Sequence, residues 1–195
     1  MGSVASPARL NADGFSLVEL IVITGIISVL LVSATVVMPG VVKQSRADSS
    51  AAVALNTLRL ARERAIGDRR NMELVFIPVQ HIQVVRQGIA GESNTTVLDV
   101  YLEDSQEFLH FSGMPDTPDL FGLTNSPRAF GSTSGTIPTI MFTSEGTLLD
   151  SSGDPINGTL FLGTQDDPSS ARAITIFGAT ALLRLWRWDG RKWTE

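Results

Sequence analysis

The sequence predicts an α+β protein in which one long N-terminal helix, first transmembrane and then amphipathic, packs on a mostly antiparallel β domain. Two patterns indicate this class. Up to Gly67, apolar residues form an unbroken run or recur at three- and four-residue steps, as in helices. After Gly67, short segments alternate between apolar and polar residues, as in strands. We predict four segments: a short leader at 1–14, a transmembrane helix at 15–39, an amphipathic helix at 40–70 and a β domain at 71–195.

The composition indicates a folded protein and excludes several kinds of site. The chain has 195 residues, of which 43 % are hydrophobic and 18 % charged, so it has enough apolar material for a core. Its formal net charge of −5 gives no general attraction to nucleic acid or anionic lipid. Because there is no cysteine, a disulfide framework, a thiolate metal site and a cysteine nucleophile are excluded.

The residues from Phe15 to Met38 form a candidate membrane helix. The run reads FSLVELIVITGIISVLLVSATVVM and contains a single charge, Glu19. As a helix, 24 residues would extend about 36 Å, enough to cross the hydrocarbon of a bilayer. A core helix is the first alternative, but it would usually carry a polar stripe. A secretory signal peptide is the second, but the run is too long and Met38-Pro39-Gly40 is not a typical cleavage site.

Glu19 is the unusual residue of this run. A carboxylate in an apolar span costs about 2.5–3.5 kcal/mol at the centre of the helix and less near its end. The nearest cationic side chain after it, Lys43, is at the far end of the predicted helix. A cut before Phe15 would create an α-amino group about one turn away. That amine would pair best with Glu19 of a neighbouring subunit, inside an assembly that excludes water.

The segment Gly14-Phe15-Ser16-Leu17-Val18-Glu19-Leu20, followed by the apolar run, closely resembles the cleavage and methylation motif of type IV prepilins and type II secretion pseudopilins. The resemblance implies that residues 1–14 are a prepilin leader. A prepilin peptidase would cut after Gly14 and methylate the amine of Phe15. Glu19 would match the family's glutamate, which governs methylation and subunit docking.

A second helical pattern follows Pro39-Gly40, a pair that predicts a kink or an interruption. One side of this predicted helix is apolar, and its polar and charged residues fall largely on the opposite side. Gly67 is a plausible end of the helix. Three arginines near the predicted end, at 59, 62 and 64, suit the helix dipole. The apolar face consists of Ala47, Ala51, Leu55, Leu58, Ala61 and Ala65.

The remaining chain predicts strands joined by turns, with a long irregular loop at 112–138. The predicted strands are 72–78, 79–87, 95–103, 139–146, 159–164 and 174–178. Three stretches resemble the GspH/FimT type of minor pseudopilin. Residues 55–76 resemble its helix-to-first-strand segment, 142–150 its strand and glycine turn, and 173–186 its closing hairpin.

No pattern predicts an enzyme or a cofactor. His81 and His110 are the only histidines, and an isolated histidine is more often a surface or satisfied residue than a catalyst. The segment 131–135 has threonine where a nucleophile elbow needs serine, and P-loop, GxGxxG and HExxH patterns are absent. Loop carboxylates could offer oxygen ligands to calcium, but the D-x-D-x-D-G spacing does not occur, so no metal site is predicted.

The C-terminal tail contains all three tryptophans, interleaved with basic residues. One interpretation is a nucleic-acid surface, because arginines and indoles can hold a phosphate backbone and stack on bases. The other is structural: Asp189-Gly190 signals a hairpin turn, and the indoles cap the core or meet a neighbouring subunit. The candidate nucleic-acid residues are Arg184, Trp186, Arg187, Trp188, Arg191 and Lys192.

The resemblance implies a minor pseudopilin or pilin that helps to initiate or cap a periplasmic filament of a type II secretion or type IV pilus system. Its partners would be other pilin subunits, the prepilin peptidase and the inner-membrane assembly platform. The chain would cross the inner membrane once, with the globular domain in the periplasm. The alternative is a DNA-binding minor pilin that takes up DNA through the basic, Trp-rich tail.

Overall fold

The structure, a computed structural model, describes residues 16–103, 105–122, 126–131 and 139–195, and within the helix it leaves the side chains of 33–39 undescribed. In these residues, one α-helix, α1 (Leu17–Asp68), precedes eleven strands. The chain divides into two compact units, the first ending at Val41 and the second beginning at Val42. α1 contributes residues to both units.

All strand pairs of the second unit are antiparallel, which confirms the α+β prediction. One sheet has the order β3-β2-β1-β6-β7, and the other has the order β11-β10-β9-β8-β4, with β5 also paired to β8. The strands are β1 (Met72–Ile77), β2 (His81–Arg86), β3 (Thr95–Tyr101), β4 (Glu107–Phe108), β5 (Arg128–Phe130), β6 (Ile140–Phe142), β7 (Leu148–Leu149), β8 (Gly158–Thr164), β9 (Asp167–Phe177), β10 (Leu182–Trp188) and β11 (Trp193–Thr194).

The core of the second unit forms where the apolar face of α1 meets both sheets. All six predicted face residues, from Ala47 to Ala65, are buried. Leu55 and Leu58 belong to one apolar cluster with Ile82 of β2 and Ile174 of β9. The three- and four-residue spacing of apolar residues therefore identified the buried side of the helix correctly. The small alanines on this face bring the helix backbone close to the sheets.

The pair Pro39-Gly40 predicted a kink or an interruption; α1 is continuous through it, so the helix is not interrupted there. Proline removes one backbone donor and crowds the preceding turn, a cost of about 3 kcal/mol in a helix interior. The helical hydrogen bonds on both sides of the pair do not depend on that donor.

The helix ends at Asp68, one residue after the predicted stop at Gly67. Arg69 takes a positive φ of 53°, which most residues avoid and glycine accepts easily. The N–H of Arg70 donates to the carbonyl of Ala65 at 3.1 Å, and the N–H of Arg69 donates to that of Ile66 at 3.3 Å. These two bonds form a Schellman cap, which satisfies carbonyls at the end of the helix.

Within the described residues of the loop predicted at 112–138 lies a strand, β5. Arg128, Ala129 and Phe130 pair with β8, and Ala129 and Phe130 are buried. Three residues carry too little alternation to be recognised as a strand. Phe130 also stacks on Phe76 of β1, with ring centroids 5.8 Å apart, so the segment is fixed by contacts distant in sequence.

Candidate functional site

The first unit presents an apolar helix with exposed side chains. Twelve aliphatic residues between Leu17 and Val32 are each 40–73 % exposed. Thr24 and Ser28, polar residues within this stretch, direct their hydroxyls to carbonyls of their own helix at 2.7–3.0 Å. Their polarity is thus satisfied locally, and the surface offered by the helix is apolar on all sides.

Glu19 lies in the first turn of α1 and is exposed. A carboxylate in the first turn of a helix interacts favourably with the helix dipole, by about 0.3–1 kcal/mol. Gly14 and Phe15, the predicted cleavage and methylation residues, lie outside the described residues. In the part of the chain whose side chains are described, no helix is long and apolar enough to cross a membrane.

Two side chains of the C-terminal tail, Arg184 and Trp186, donate hydrogen bonds to a buried carboxylate, Asp119. Its carboxylate accepts a hydrogen bond from Arg184 at 2.7 Å, from Thr175 at 2.5 Å and from the indole N–H of Trp186 at 3.3 Å. Trp186 also donates to the hydroxyl of Thr175 at 3.0 Å. The Asp119 side chain is only 5 % exposed, and its charge partner Arg184 is 38 % exposed, so the pair is buried on the side of the acid. These contacts fix the 117–120 turn to β9 and β10.

Replacing Asp119 by alanine should lower the free energy of unfolding by about 2–4 kcal/mol, because the buried indole and hydroxyl lose an acceptor and Arg184 loses its counter-ion. Asp119→Asn keeps the shape and one acceptor oxygen, so it should cost about half as much. Urea unfolding of the full chain in mild detergent measures both values. Equal stability of the alanine variant and the original chain would show that this network does not hold the loop.

The end of the tail is a hairpin, as the Asp189-Gly190 signal predicted. Trp188 pairs with Trp193 across the turn, and their rings meet edge to face with centroids 5.3 Å apart. The Trp193 indole donates to the carbonyl of Pro115 at 2.9 Å. Asp189 caps the turn by accepting backbone N–H groups from residues 191 and 192, which lower the pKa of its carboxyl.

The six residues proposed for nucleic-acid binding therefore do not form one exposed surface. Arg184 and Trp186 belong to the Asp119 network, and Trp188 packs against a core cluster. Arg187 lies on the opposite face of β10, where it donates to the Gln44 side chain at 2.9 Å. Arg187, Arg191 and Lys192 are exposed, the last two at the hairpin turn.

Sequence reasoning missed a second buried charge, Arg172 of β9. Its guanidinium is 1 % exposed and donates through Nε to Asp48 of α1 at 2.7 Å. Nη1 donates to the carbonyls of Ser169 and Ala171, whereas Nη2 is buried with no hydrogen-bond partner among the described residues. Asp48 and Arg172 are 124 positions apart, so no local pattern could have identified the pair.

Both histidine side chains pack against aromatic rings of the β domain. His81, expected to be a surface or satisfied residue, is buried at 8 % exposure, contacts the Asp99 carboxylate and stacks on Tyr101. His110 is partly buried and meets the Phe161 ring at a centroid distance of 4.7 Å. Burial lowers the pKa of His110, and the nearby charge of Asp116 opposes this effect. In the described regions, no three His, Asp or Glu side chains converge as metal ligands would.

The lowered pKa of His110 predicts an acid-sensitive stability. Between its folded pKa and the unfolded value of about 6.5, the unfolded chain binds more protons, so stability falls as pH falls. We expect the free energy of unfolding to decrease from pH 7 to pH 5, and His110→Gln to flatten that slope. His81→Gln is the control for the other histidine. An unchanged slope in His110→Gln would contradict this assignment.

Comparisons with known proteins give similarities of structure only. No family model and no curated protein matches the chain. It is similar to the type IV minor pilin FimU of Pseudomonas aeruginosa, at 14 % identity and a TM-score of 0.49, covering 78 % of this chain and 95 % of that one. A second crystal form of FimU gives 15 % identity and a TM-score of 0.46, covering 78 % and 97 %.

The chain is also similar to the minor pseudopilin EpsH of the type 2 secretion system of Vibrio cholerae. That match has 13 % identity and a TM-score of 0.43, and it covers 73 % of this chain and 97 % of that one. These proteins belong to the classes that the N-terminal motif resembles. At such identities and TM-scores, no function follows from the similarity.

Proposed function

We propose that this chain is a filament subunit of the type IV pilin class, a minor pilin or pseudopilin that helps to initiate or cap a periplasmic filament. The observation that carries the proposal is the exposed apolar helix from Leu17 to Val32, with Glu19 as its one charge. Exposed apolar surface of this size marks a site of membrane or protein contact. The prepilin-like motif, residues 14–20, overlaps the start of this helix.

The helix has two successive environments in this proposal. As a precursor, the chain sits in the inner membrane with one span and its β domain in the periplasm. After processing at Gly14, the same apolar surface packs against the helices of neighbouring subunits, where Gly25 permits close approach. The partners are then the prepilin peptidase, the assembly platform and other pilin subunits.

The minor-subunit assignment is supported by the stretches at 55–76, 142–150 and 173–186, which resemble the GspH/FimT type. A structural role is also favoured by the absence of recognised catalytic motifs from the sequence. We do not propose DNA capture, because Arg184 and Trp186 already bind Asp119 and Trp188 packs in a cluster.

Membrane fractionation tests the anchoring step. The full chain should remain in inner-membrane vesicles after a carbonate wash, and its β domain should be digested only when protease reaches the periplasm. Changing Ile26 and Val29 to lysine should release it, since each lysine in a span costs about 2.5–3.5 kcal/mol. Changing both to leucine is the matched control. A wild-type chain found in the soluble fraction would refute the anchoring.

A further inference from the structure

Leu120 combines two features that a leucine ordinarily avoids. Its side chain is 76 % exposed, more than any other large apolar side chain in the part of the chain whose side chains are described. Its φ is +55°, in the left-handed region where a side chain crowds the backbone and where glycine or asparagine is preferred. A strained residue persists only where the surrounding structure holds it, and such residues concentrate at functional positions.

The turn that carries Leu120 is closed by one carboxylate. We call residues 116–122 the Leu120 turn. Asp116 accepts the N–H of Thr117 at 2.7 Å through one oxygen and the N–H of Gly122 at 2.8 Å through the other. Between these two bonds, the N–H of Leu120 donates to the carbonyl of Thr117 at 2.9 Å. The backbone of the turn is thus held by its own hydrogen bonds.

Both sequence neighbours of Leu120 anchor the turn to the sheet. Asp119 accepts hydrogen bonds from side chains of β9 and β10, as described above. The Phe121 ring meets Phe177 of β9 edge to face, with centroids 4.6 Å apart. Leu120 is therefore exposed between two anchored residues. Because the turn is already ordered, a contact made by this side chain loses little conformational entropy.

A cavity in the same β domain is large enough for a leucine side chain. Its volume is about 280 Å³. An apolar cavity of about 150 Å³ already holds a molecule as large as benzene. Four apolar residues, from the end of α1 and from 181–183, line the cavity together with three charged ones. We call it the Ile66 cavity, and its lining residues are Ile66, Ala181, Leu182, Leu183, Arg59, Arg62 and Glu63.

The Leu120 turn and the Ile66 cavity carry opposite net charges. In the turn, Asp119 is paired with Arg184, which leaves the carboxylate of Asp116 as the net charge. The cavity is lined by two arginines and one glutamate, and none of these three belongs to an ion pair among the described residues. Contact between the two surfaces would therefore add electrostatic attraction to the burial of apolar area.

We propose that this protein associates with itself through the Leu120 turn, with Leu120 of one copy inserted into the Ile66 cavity of a second copy. The inserted side chain leaves water and packs on the apolar walls of the cavity. Because the turn and the cavity are different surfaces, successive contacts of this kind can join copies head to tail. The contact lies in the β domain, so it goes beyond the proposed role of the apolar helix and can fail without affecting that role.

Leu120→Asn tests the contact, because asparagine branches like leucine, is polar and accepts a positive φ. We expect the full chain in mild detergent to self-associate in sedimentation equilibrium, and Leu120→Asn to weaken the association about tenfold or more. Contacts through the apolar helix are the same in both proteins and cancel in the comparison. The midpoint of thermal unfolding should stay the same or rise, since the backbone strain is relieved. Leu60→Asn, an exposed position outside the cavity lining, is the control and should leave the association unchanged.

Engineered cysteines locate the contact, because the chain has none of its own. Differently tagged Leu120→Cys and Ile66→Cys copies, mixed with a short bis-maleimide, should crosslink between the two tags. Leu60→Cys should not crosslink to Leu120→Cys above background. The proposal is overturned if Leu120→Asn associates like the original chain, if the 120–66 pair does not crosslink, if the 120–60 pair crosslinks equally well, or if the turn crosslinks only to a different protein.

Discussion

Replacing Glu19 by alanine should remove the subunit from filaments while leaving its β domain folded. In the proposed assembly, the Glu19 carboxylate pairs with the α-amino group of Phe15 on a neighbouring subunit. Removing one partner of a water-excluded ion pair costs about 3–5 kcal/mol, because the other charge stays buried and uncompensated. That energy corresponds to roughly a hundredfold or more in an association constant. Immunoblots of sheared filaments measure the effect.

Ser28→Ala is the matched control for this experiment. Ser28 is also a polar residue of the apolar stretch, but its hydroxyl bonds the carbonyl of Thr24 in the same helix at 2.7 Å. Its loss leaves no charge unpaired, so incorporation should stay close to that of the original chain. Normal incorporation of Glu19→Ala, with normal N-terminal maturation, would contradict the role assigned to this carboxylate.

Replacing Leu58 by alanine should lower the free energy of unfolding of the β domain by about 2–5 kcal/mol. Leu58 is completely buried, in the cluster that joins α1 to both sheets. Truncation leaves a cavity there in addition to the lost apolar burial. For a chain of this size the midpoint of thermal unfolding should fall by roughly 5–15 °C.

Leu60→Ala removes the same atoms two positions further along the helix. Leu60 is 39 % exposed, and surface substitutions usually change stability by no more than about 0.5 kcal/mol. The two variants share helix propensity and chemistry, so their difference measures tertiary packing alone. If both lost similar stability, the helix would not be oriented on the sheets as described.

The sequence predicted the structure best where the buried residues are close together in the chain and follow a regular spacing. The apolar face at Ala47, Ala51, Leu55 and Leu58 followed from three- and four-residue spacing, because a helix packed on a sheet needs one continuous apolar side. The hairpin at Asp189-Gly190 followed from turn chemistry, since glycine there adopts a φ of +97°. Both features depend on residues close together in the chain.

Features set by distant residues could not be read in this way. Arg184 and Trp186 suggested a free basic and aromatic tail, but Asp119, more than sixty positions earlier, binds both. The acid looked like one of several loop carboxylates, and nothing beside it in sequence indicates burial. The short strand β5 likewise exists because β8 lies beside it in the fold.

The central claim is that this chain is a processed prepilin, and mass spectrometry of the mature protein tests it most directly. The protein would be recovered from the membrane and filament fractions of cells that contain the prepilin peptidase. We expect its first residue to be Phe15 with one methyl group on the α-amine, and residues 1–14 to be absent. A mature chain that retains Met1, or that starts after Pro39, would contradict the claim.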